Sequence, residues 1–313
     1  MTLTFLGTGT SIGVPAIGCD CDVCRSPYSR DKRLRSCAMI ETDGGLRVLI
    51  DCGPDFREQI NRYPFEQFNK GRLWQTANGE PMRHFGKLDA VLLSHIHFDH
   101  VGGIDDLRPF AWFGDVDIYA KDDVIEGLHQ TMPYCFRTDL YPGVPHLRMH
   151  EARHGEPIII SRPMRKQMNI FYGGADLQGR MRNDTREIVI EPATDTLRIT
   201  PLTVMHGKLP ILGYRIGGLT YITDMKSLPD DSWPILEGTD TLVINALRFE
   251  KEHHSHHLVS DAVSVAQRIG ARQTYLIHVT HDIGTHDYAN SRLPEGIHFA
   301  YDQQQITIPD ISL

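Results

Sequence analysis

Apolar residues along this chain come in short runs separated by polar or glycine-bearing stretches, and few of the runs repeat with helical spacing. Their length and their β-branched and aromatic content predict strands at Thr2–Gly7, Cys37–Thr42, Arg47–Cys52, Leu88–Ser94, Val116–Ala120, Thr196–Val204, Gly213–Ile216, Leu219–Thr223, Thr241–Ala246 and Thr274–His278. Helical periodicity predicts helices at Pro54–Arg62, Asp122–Gln130 and Ser260–Ile269. In the last of these, Val259, Ala262, Val263, Ala266 and Ile269 share one face, Ser260 offers a cap and Gly270 a stop. So many strands with so few helices predict an α+β chain in which two sheets pack together with helices outside, rather than a doubly wound parallel sheet.

Two segments break the pattern. Gln67 to Lys87 is polar and shows no clear period. Gly143 to Ile190 carries eight basic residues (seven Arg plus Lys166) against five acidic ones. It is expected to be an insertion at about 143–190 in a single domain spanning 1–313, either solvated or acting as a lid over an anionic substrate.

Polar residues follow several of the apolar strands, and they are the residues that bind metals. Ser94-His95-Ile96-His97-Phe98-Asp99-His100 puts four such side chains within six residues, directly after Ala90-Val91-Leu92-Leu93. The spacing lets His95 and His97 point one way while Asp99 and His100 point another, which suits two ions roughly 3.5–4 Å apart. His206, Asp224 and His278 each end another apolar run. Imidazole and carboxylate accept Zn²⁺, Mn²⁺ or Fe ions, so the donor set does not choose among them.

Charge and composition narrow the partners. The chain has 313 residues, 41% hydrophobic and 23% charged, as expected of a globular protein. A net charge of -8 argues against a general nucleic-acid binder but leaves room for a small anion held by a few local cations. No apolar run is long enough to span a bilayer, and Leu3-Thr4-Phe5-Leu6 reads as a strand rather than a signal core. A cytoplasmic protein without membrane partners is therefore expected, and its six cysteines are expected to be thiols or metal ligands.

The order Asp51, His95/His97/Asp99/His100, His206, Asp224, His278 resembles the metallo-β-lactamase-fold hydrolase superfamily over most of the chain. That resemblance implies an αββα four-layer sandwich with the metals at one edge of the paired sheets. It implies one ion on His95, His97 and His206, a second on Asp99, His100 and His278, with Asp224 between them and Asp51 orienting a ligand from behind. A narrower resemblance lies in Gly18-Cys19-Asp20-Cys21-Asp22-Val23-Cys24, Leu6-Gly7-Thr8-Gly9-Thr10, His206-Gly207-Lys208-Leu209 and His278-Val279-Thr280-His281. These look like the PhnP group of cyclic phosphodiesterases, which open 5-phosphoribosyl 1,2-cyclic phosphate. The likeness implies a structural zinc on Cys19, Cys21, Cys24 and His281; Cys37, Cys52 and Cys135 show no comparable spacing. It also suggests a homodimer.

Such a site supports hydrolysis. Two cations lower the pKa of a bridging water, and the resulting hydroxide would attack a small or cyclic phosphodiester. The departing alkoxide needs a proton from the opposite side. His253-His254-Ser255-His256-His257 is the natural source: the resemblance favours His257, with His254 as partner or alternative, so these two and Asp99 are the expected catalytic residues. Lys208 and Arg108 are candidates to neutralise the phosphate, although Arg108 sits where it can pair with a nearby carboxylate instead. Two other readings use the same metals. A tRNA 3′-processing endonuclease would need a basic, glycine-rich arm, and the sequence shows no evident one. A thioesterase or lactonase would not need the distal histidine.

Overall fold

The computed structural model describes residues 1–63, 74–75, 81–82, 87–137, 143–175, 181–190 and 192–309, with backbone alone for residues 74–75, 81–82, 112 and 165–189. Its strands, in chain order, are β1 (Thr2–Gly7), β2 (Cys37–Glu41), β3 (Arg47–Ile50), β4 (Trp74–Gln75), β5 (Pro81–Met82), β6 (Ala90–Leu92), β7 (Val116–Ala120), β8 (Leu147–Glu151), β9 (Ile158–Ile160), β10 (Arg165–Ala175), β11 (Met181–Ile190), β12 (Leu197–His206), β13 (Leu209–Ile216), β14 (Leu219–Tyr221), β15 (Thr241–Asn245), β16 (Gln273–Ile277), β17 (Ile297–Phe299) and β18 (Gln305–Thr307).

Fourteen of these form two seven-stranded sheets, ordered β18-β1-β2-β3-β6-β7-β8 and β17-β16-β15-β14-β13-β12-β9. In the first sheet the pairs from β18 to β3 are antiparallel and those from β3 to β8 parallel. The second repeats that plan, antiparallel from β9 to β14 and parallel from β14 to β17.

Both faces of most of these strands are apolar, because each sheet is covered twice. Leu3, Phe5, Ala38, Ile40, Val48, Ile50 and Leu92 meet Ile199, Tyr214, Ile216, Tyr221 and Val243 between the sheets. The alternate residues Met39, Leu49 and Val91 face outward, in a cluster with Phe56 and Ile60 from the helix Phe56–Arg62 and Val124 and Leu128 from the helix Asp122–Thr131. On the far side, Val259, Ala262 and Ala266 of the helix Val259–Ile269 share a cluster with Leu242, Ile244 and Leu276. The four layers are the predicted αββα sandwich. Gly270 ends that last helix in a left-handed conformation (φ 74), as its position predicts, but the cap differs. The N-cap is Leu258, whose N–H donates to Asp261 Oδ2 at 3.0 Å, and Ser260 lies inside the helix.

The segment 143–190, expected as an insertion, contributes strands to three different sheets. Its first half supplies the edge strands β8 and β9, one to each sheet. Three of its arginines are ion-paired: Arg148 to Asp117, Arg153 to Glu151, and Arg162 to the buried Asp89 at 2.8 Å. Only β10 and β11 stand apart, as a two-stranded antiparallel hairpin outside both sheets. Most of 67–87 lies outside the described residues.

Candidate metal centre

The C-terminal ends of β3, β6, β12, β14 and β16 bring the polar residues to one edge of the paired sheets. At three of them a residue just beyond the strand is in the left-handed region without being glycine: Asp51 (φ 60) and His278 (φ 56) directly after β3 and β16, and Asp224 (φ 54) three positions after the end of β14. An L side chain there costs about 1–2 kcal/mol, a strain typical of sites whose surroundings over-determine the backbone. The interior offsets it with hydrogen bonds. Asn245 Oδ1 accepts from Met225 N at 2.7 Å and its Nδ2 donates to Met225 O, fixing the residue after Asp224. Tyr214 donates its hydroxyl to Leu93 O at 2.6 Å, and Leu212 N donates to Ser94 O, tying the second sheet to the strand that delivers His95.

Two donor groups result. His95 Nε2 lies 2.9 Å from His97 Nδ1, and the rings of both face His206 at centroid distances of 5.6 and 5.2 Å. His206 Nδ1 donates to Asp224 O at 2.6 Å, which leaves Nε2 as its free lone pair. In the second group, His100 Nε2 is 3.2 Å from both Asp99 Oδ2 and Asp224 Oδ2, and His278 Nε2 is 3.1 Å from Asp224 Oδ1. Asp51 accepts from His100 Nδ1 (2.7 Å), Ser94 N (2.8 Å) and Ser94 Oγ (2.9 Å), fixing the ring orientation of His100 from behind.

Burial pushes the His95 imidazole well below its ordinary value, so it is a neutral ligand at physiological pH. Burial alone would raise the Asp224 carboxyl, but His278 and His100 overcome it and hold it well below the usual carboxylate range. Asp99 is held low in the same way by His100 and His278. The buried nitrogens His100 Nε2 and His278 Nε2 have no hydrogen-bond partner among the described residues, and both are aimed at carboxylates. Unpartnered imidazole nitrogens converging with carboxylates are the arrangement that divalent ions satisfy, and all seven predicted ligands take part.

The distal histidines differ from expectation. His257 turns away: its Nε2 donates to Lys226 O at 2.9 Å and its backbone joins Met225 and Leu247. Its neighbour His256 lies among the donors, 3.7 Å from Asp224, stacked on His278 at 4.9 Å and tilted against His206 at 4.7 Å between ring centroids. Burial and then His278 push its pKa down to about 3. His254 is exposed and stacks on His253 at 4.5 Å. Which of the four histidines points inward is decided by the Leu247 and Met225 contacts, and no local pattern carries that. Arg108 is ion-paired with Asp105 on the surface, and Lys208 is exposed in the β12–β13 turn.

The three clustered cysteines meet His281 as the resemblance implies. Its Nδ1 lies 3.3, 3.5 and 3.1 Å from the sulfurs of Cys19, Cys21 and Cys24. A tetrahedron with bonds of about 2.0–2.3 Å separates its ligand atoms by roughly 3.5 Å, so a small soft cation fits. The Cys24 N–H lowers the Cys21 thiol to about 7, while burial raises Cys24 to about 11. The sites are neighbours, since Val279 N donates to Thr8 O and Thr10 N to Val279 O between His278 and His281.

Comparison with known proteins agrees with this architecture. A solved structure of a diphosphatase from the PhnP family superposes with TM-score 0.73 at 33% identity, covering 99% of this chain and 98% of that one. The Zn²⁺-bound PqqB from Methylobacterium extorquens shares the fold, with TM-score 0.66 at 18% identity over 98% of this chain and 100% of that one. An octanoyltransferase of Porphyromonas gingivalis is 36% identical over 310 residues, 99% of this chain but 52% of that protein, so the chain spans about half the length of this curated relative. Residues 46–279 match the model of the beta-lactamase superfamily domain. The span runs from just before β3 to just after His278 and holds every residue of the two donor groups; the chain belongs to that superfamily.

Proposed function

We propose that this chain is a metal-dependent phosphodiesterase acting on a small diester. The observation that carries the reading is the pair of neighbouring donor groups, His95/His97/His206 and Asp99/His100/Asp224/His278, with a further histidine, His256, 3.7 Å from the Asp224 carboxylate. The likeness to a PhnP-family diphosphatase supports it.

His95, His97 and His206 would hold one divalent ion and Asp99, His100 and His278 the other, with Asp224 between them; Cys19, Cys21, Cys24 and His281 would hold a structural zinc. Bound there, two divalent ions would supply a water of lowered pKa and stabilise the charge developing on the phosphoryl oxygens. The protein's own residues do the rest. Asp51 and the backbone carbonyl of Asp224 keep His100 and His206 in the tautomers that present Nε2. His256 is the group placed to pass a proton to the leaving oxygen, and an incoming phosphate anion raises its pKa from the low value that burial gives it. His257 positions that loop through Lys226 O.

The test is hydrolysis of bis-(p-nitrophenyl) phosphate and of an alkyl aryl diester with Mn²⁺ or Zn²⁺, beside a thioester and a lactone. Diester turnover is expected, with His256→Ala slowing release of the alkoxide roughly 10²–10⁴-fold and that of p-nitrophenolate much less. Turnover of the thioester or lactone alone would place the substrate in acyl chemistry and overturn the reading.

One observation favours a second reading, an RNA-processing endonuclease. The β10–β11 hairpin is an arm outside both sheets, with Gly173 and Gly174 in β10 and Arg165, Lys166, Arg182 and Arg186 along its strands. Deleting residues 165–190 would abolish cleavage of a tRNA precursor and spare the small diester if that reading holds.

A further inference from the structure

Arg292 and Lys251 line one pocket beside the loop that carries His256. The Arg292 guanidinium lies 3.7 Å from the centroid of Phe249 and 5.8 Å from that of Tyr288. Neither Arg292 nor Lys251 forms an ion pair among the described residues. Lys251 also sits in the left-handed region (φ 65), a conformation that costs an L residue strain and that the loop nonetheless holds. Arg248 spans the base of the same loop, with its Nε donating to Lys251 O at 2.9 Å and its Nη1 3.3 Å from Asp282.

These residues line a cavity of about 260 Å³ with Phe249 and Glu250. A second cavity, of about 440 Å³, shares Phe249, Glu250 and Arg292 with the first and is walled by Val259, Val263, Leu293 and Pro294. The two adjoin at Phe249, Glu250 and Arg292, one lined mainly by charged residues and the other mainly by apolar ones. The charged pocket holds Arg248, Lys251 and Arg292 against Glu250 and Asp282, and Asp282 is already engaged by Arg248. A net positive pocket on a chain of net charge -8 is a local reversal of sign, and it favours an anion. The guanidinium stacked on Phe249 keeps its N–H donors in fixed directions, which suits phosphate oxygens. The apolar pocket asks for a body of hydrocarbon or ring attached to that head.

We propose that these adjoining pockets bind a small soluble aryl or alkyl phosphate at a site that shares no residue with the metal ligands. The head group sits among Arg292, Lys251 and Arg248, and the apolar body lies along Phe249, Val263 and Leu293. The loop between Arg248 and Val259 is closed by Val259 N donating to Arg248 O and Leu247 N to His257 O, so a ligand here rests on the loop that presents His256 to the metal centre.

The test uses 8-anilinonaphthalene-1-sulfonate, an anion on a fused-ring body, titrated into the metal-loaded protein by fluorescence. Excess inorganic phosphate is present to fill the metal centre. Saturable binding is expected, with displacement by phenyl phosphate and not by further inorganic phosphate. Arg292→Met keeps an unbranched apolar chain beside Phe249 and removes the guanidinium with its charge; Lys251→Gly removes a charge and relieves the backbone. Together they should weaken binding about tenfold or more while diester hydrolysis stays unchanged, which also reports that the variant is folded. Equal affinity in the folded double variant, or displacement by inorganic phosphate alone, would overturn the proposal.

Discussion

Asp51 makes its contribution without facing the cleft. Its two oxygens accept from Ser94 N, Ser94 Oγ and His100 Nδ1, all fully buried, so removing the carboxylate leaves a ring free to turn and a backbone N–H unpaired. Asp51→Ala is expected to weaken metal binding about 10–100-fold, measured by competition with a chromogenic chelator; an unchanged affinity would mean that packing alone orients His100. The buried His286 gives a second residue-level prediction, far from catalysis. Arg33 Nη2 donates to its Nδ1 at 3.2 Å, which only the neutral ring can accept. Burial, then Arg33 and Arg30, push its pKa from 6.5 down to about 4. The folded protein therefore takes up this proton later than the unfolded chain. The contribution to stability is complete above about pH 6.5 and is lost as pH falls toward 4, at a cost of about 3 kcal/mol. His286→Asn keeps an acceptor for Arg33 and cannot titrate. Urea midpoints of wild type and variant should diverge across that window, and parallel curves would rule the histidine out as the cause. At this scale the sequence was informative where residue type and spacing suffice, as for His95, His97, Asp99 and His100. It failed at His256 and His257, whose directions depend on contacts to Met225, Lys226 and Leu247.

Elements were legible in proportion to how much apolar surface they bury. β1, β2, β3, β6, β15 and β16 are nearly continuous buried runs and appear in the sequence as such. β8 and β9 are edge strands with mixed or brief patterns; β9 has only Ile158 and Ile160 inward with Ile159 exposed, and the surrounding arginines suggested a lid. Arg148, Arg153 and Arg162 are ion-paired with Asp117, Glu151 and Asp89, a role that composition cannot distinguish from binding an anion. The short helix Phe98–Val101 is fixed by a different device. Gly53 leaves room for it: a Cβ there would meet the Asp99 carbonyl oxygen at 2.0 Å. Because that neighbour is backbone, the turn carrying Asp99 and His100 must move as a unit. Gly53→Ala should cost about 1–3 kcal/mol through overpacking and displace two ligands of the second donor group. If the two proposed ions bind, metal content by atomic absorption should fall from two active-site ions in the wild type toward one in the variant. Retention of both would show that the turn yields without disturbing its side chains.

At the scale of the whole molecule, the two sheets repeat one plan of strand directions, and the donors come from both: Asp51, His95, His97, Asp99 and His100 from the first, His206, Asp224 and His278 from the second. The centre therefore forms only when the halves are docked, which the sequence shows as ligand order but not as geometry. The Cys19–Cys24 loop adds a further tie between the ends of the chain. Cys24 and His281 are 257 positions apart and their Sγ and Nδ1 atoms lie 3.1 Å from each other, so the proposed zinc closes one of the longest loops the chain allows. By the entropy argument used for covalent cross-links, closing a loop of that length stabilises by about 5 kcal/mol, and the metal–ligand bonds add to it. Cys24→Ser removes one buried ligand and keeps the side chain's size. Its thermal midpoint should fall by about 10 °C relative to zinc-loaded wild type, and added zinc should not restore it. Because His278 lies three residues before His281 on the same strand end, the variant should also bind the second active-site ion more weakly, seen as an earlier loss of one ion during chelator titration. A variant that melts with wild type while binding one fewer zinc would show that the tetrad holds its ion without bracing the fold.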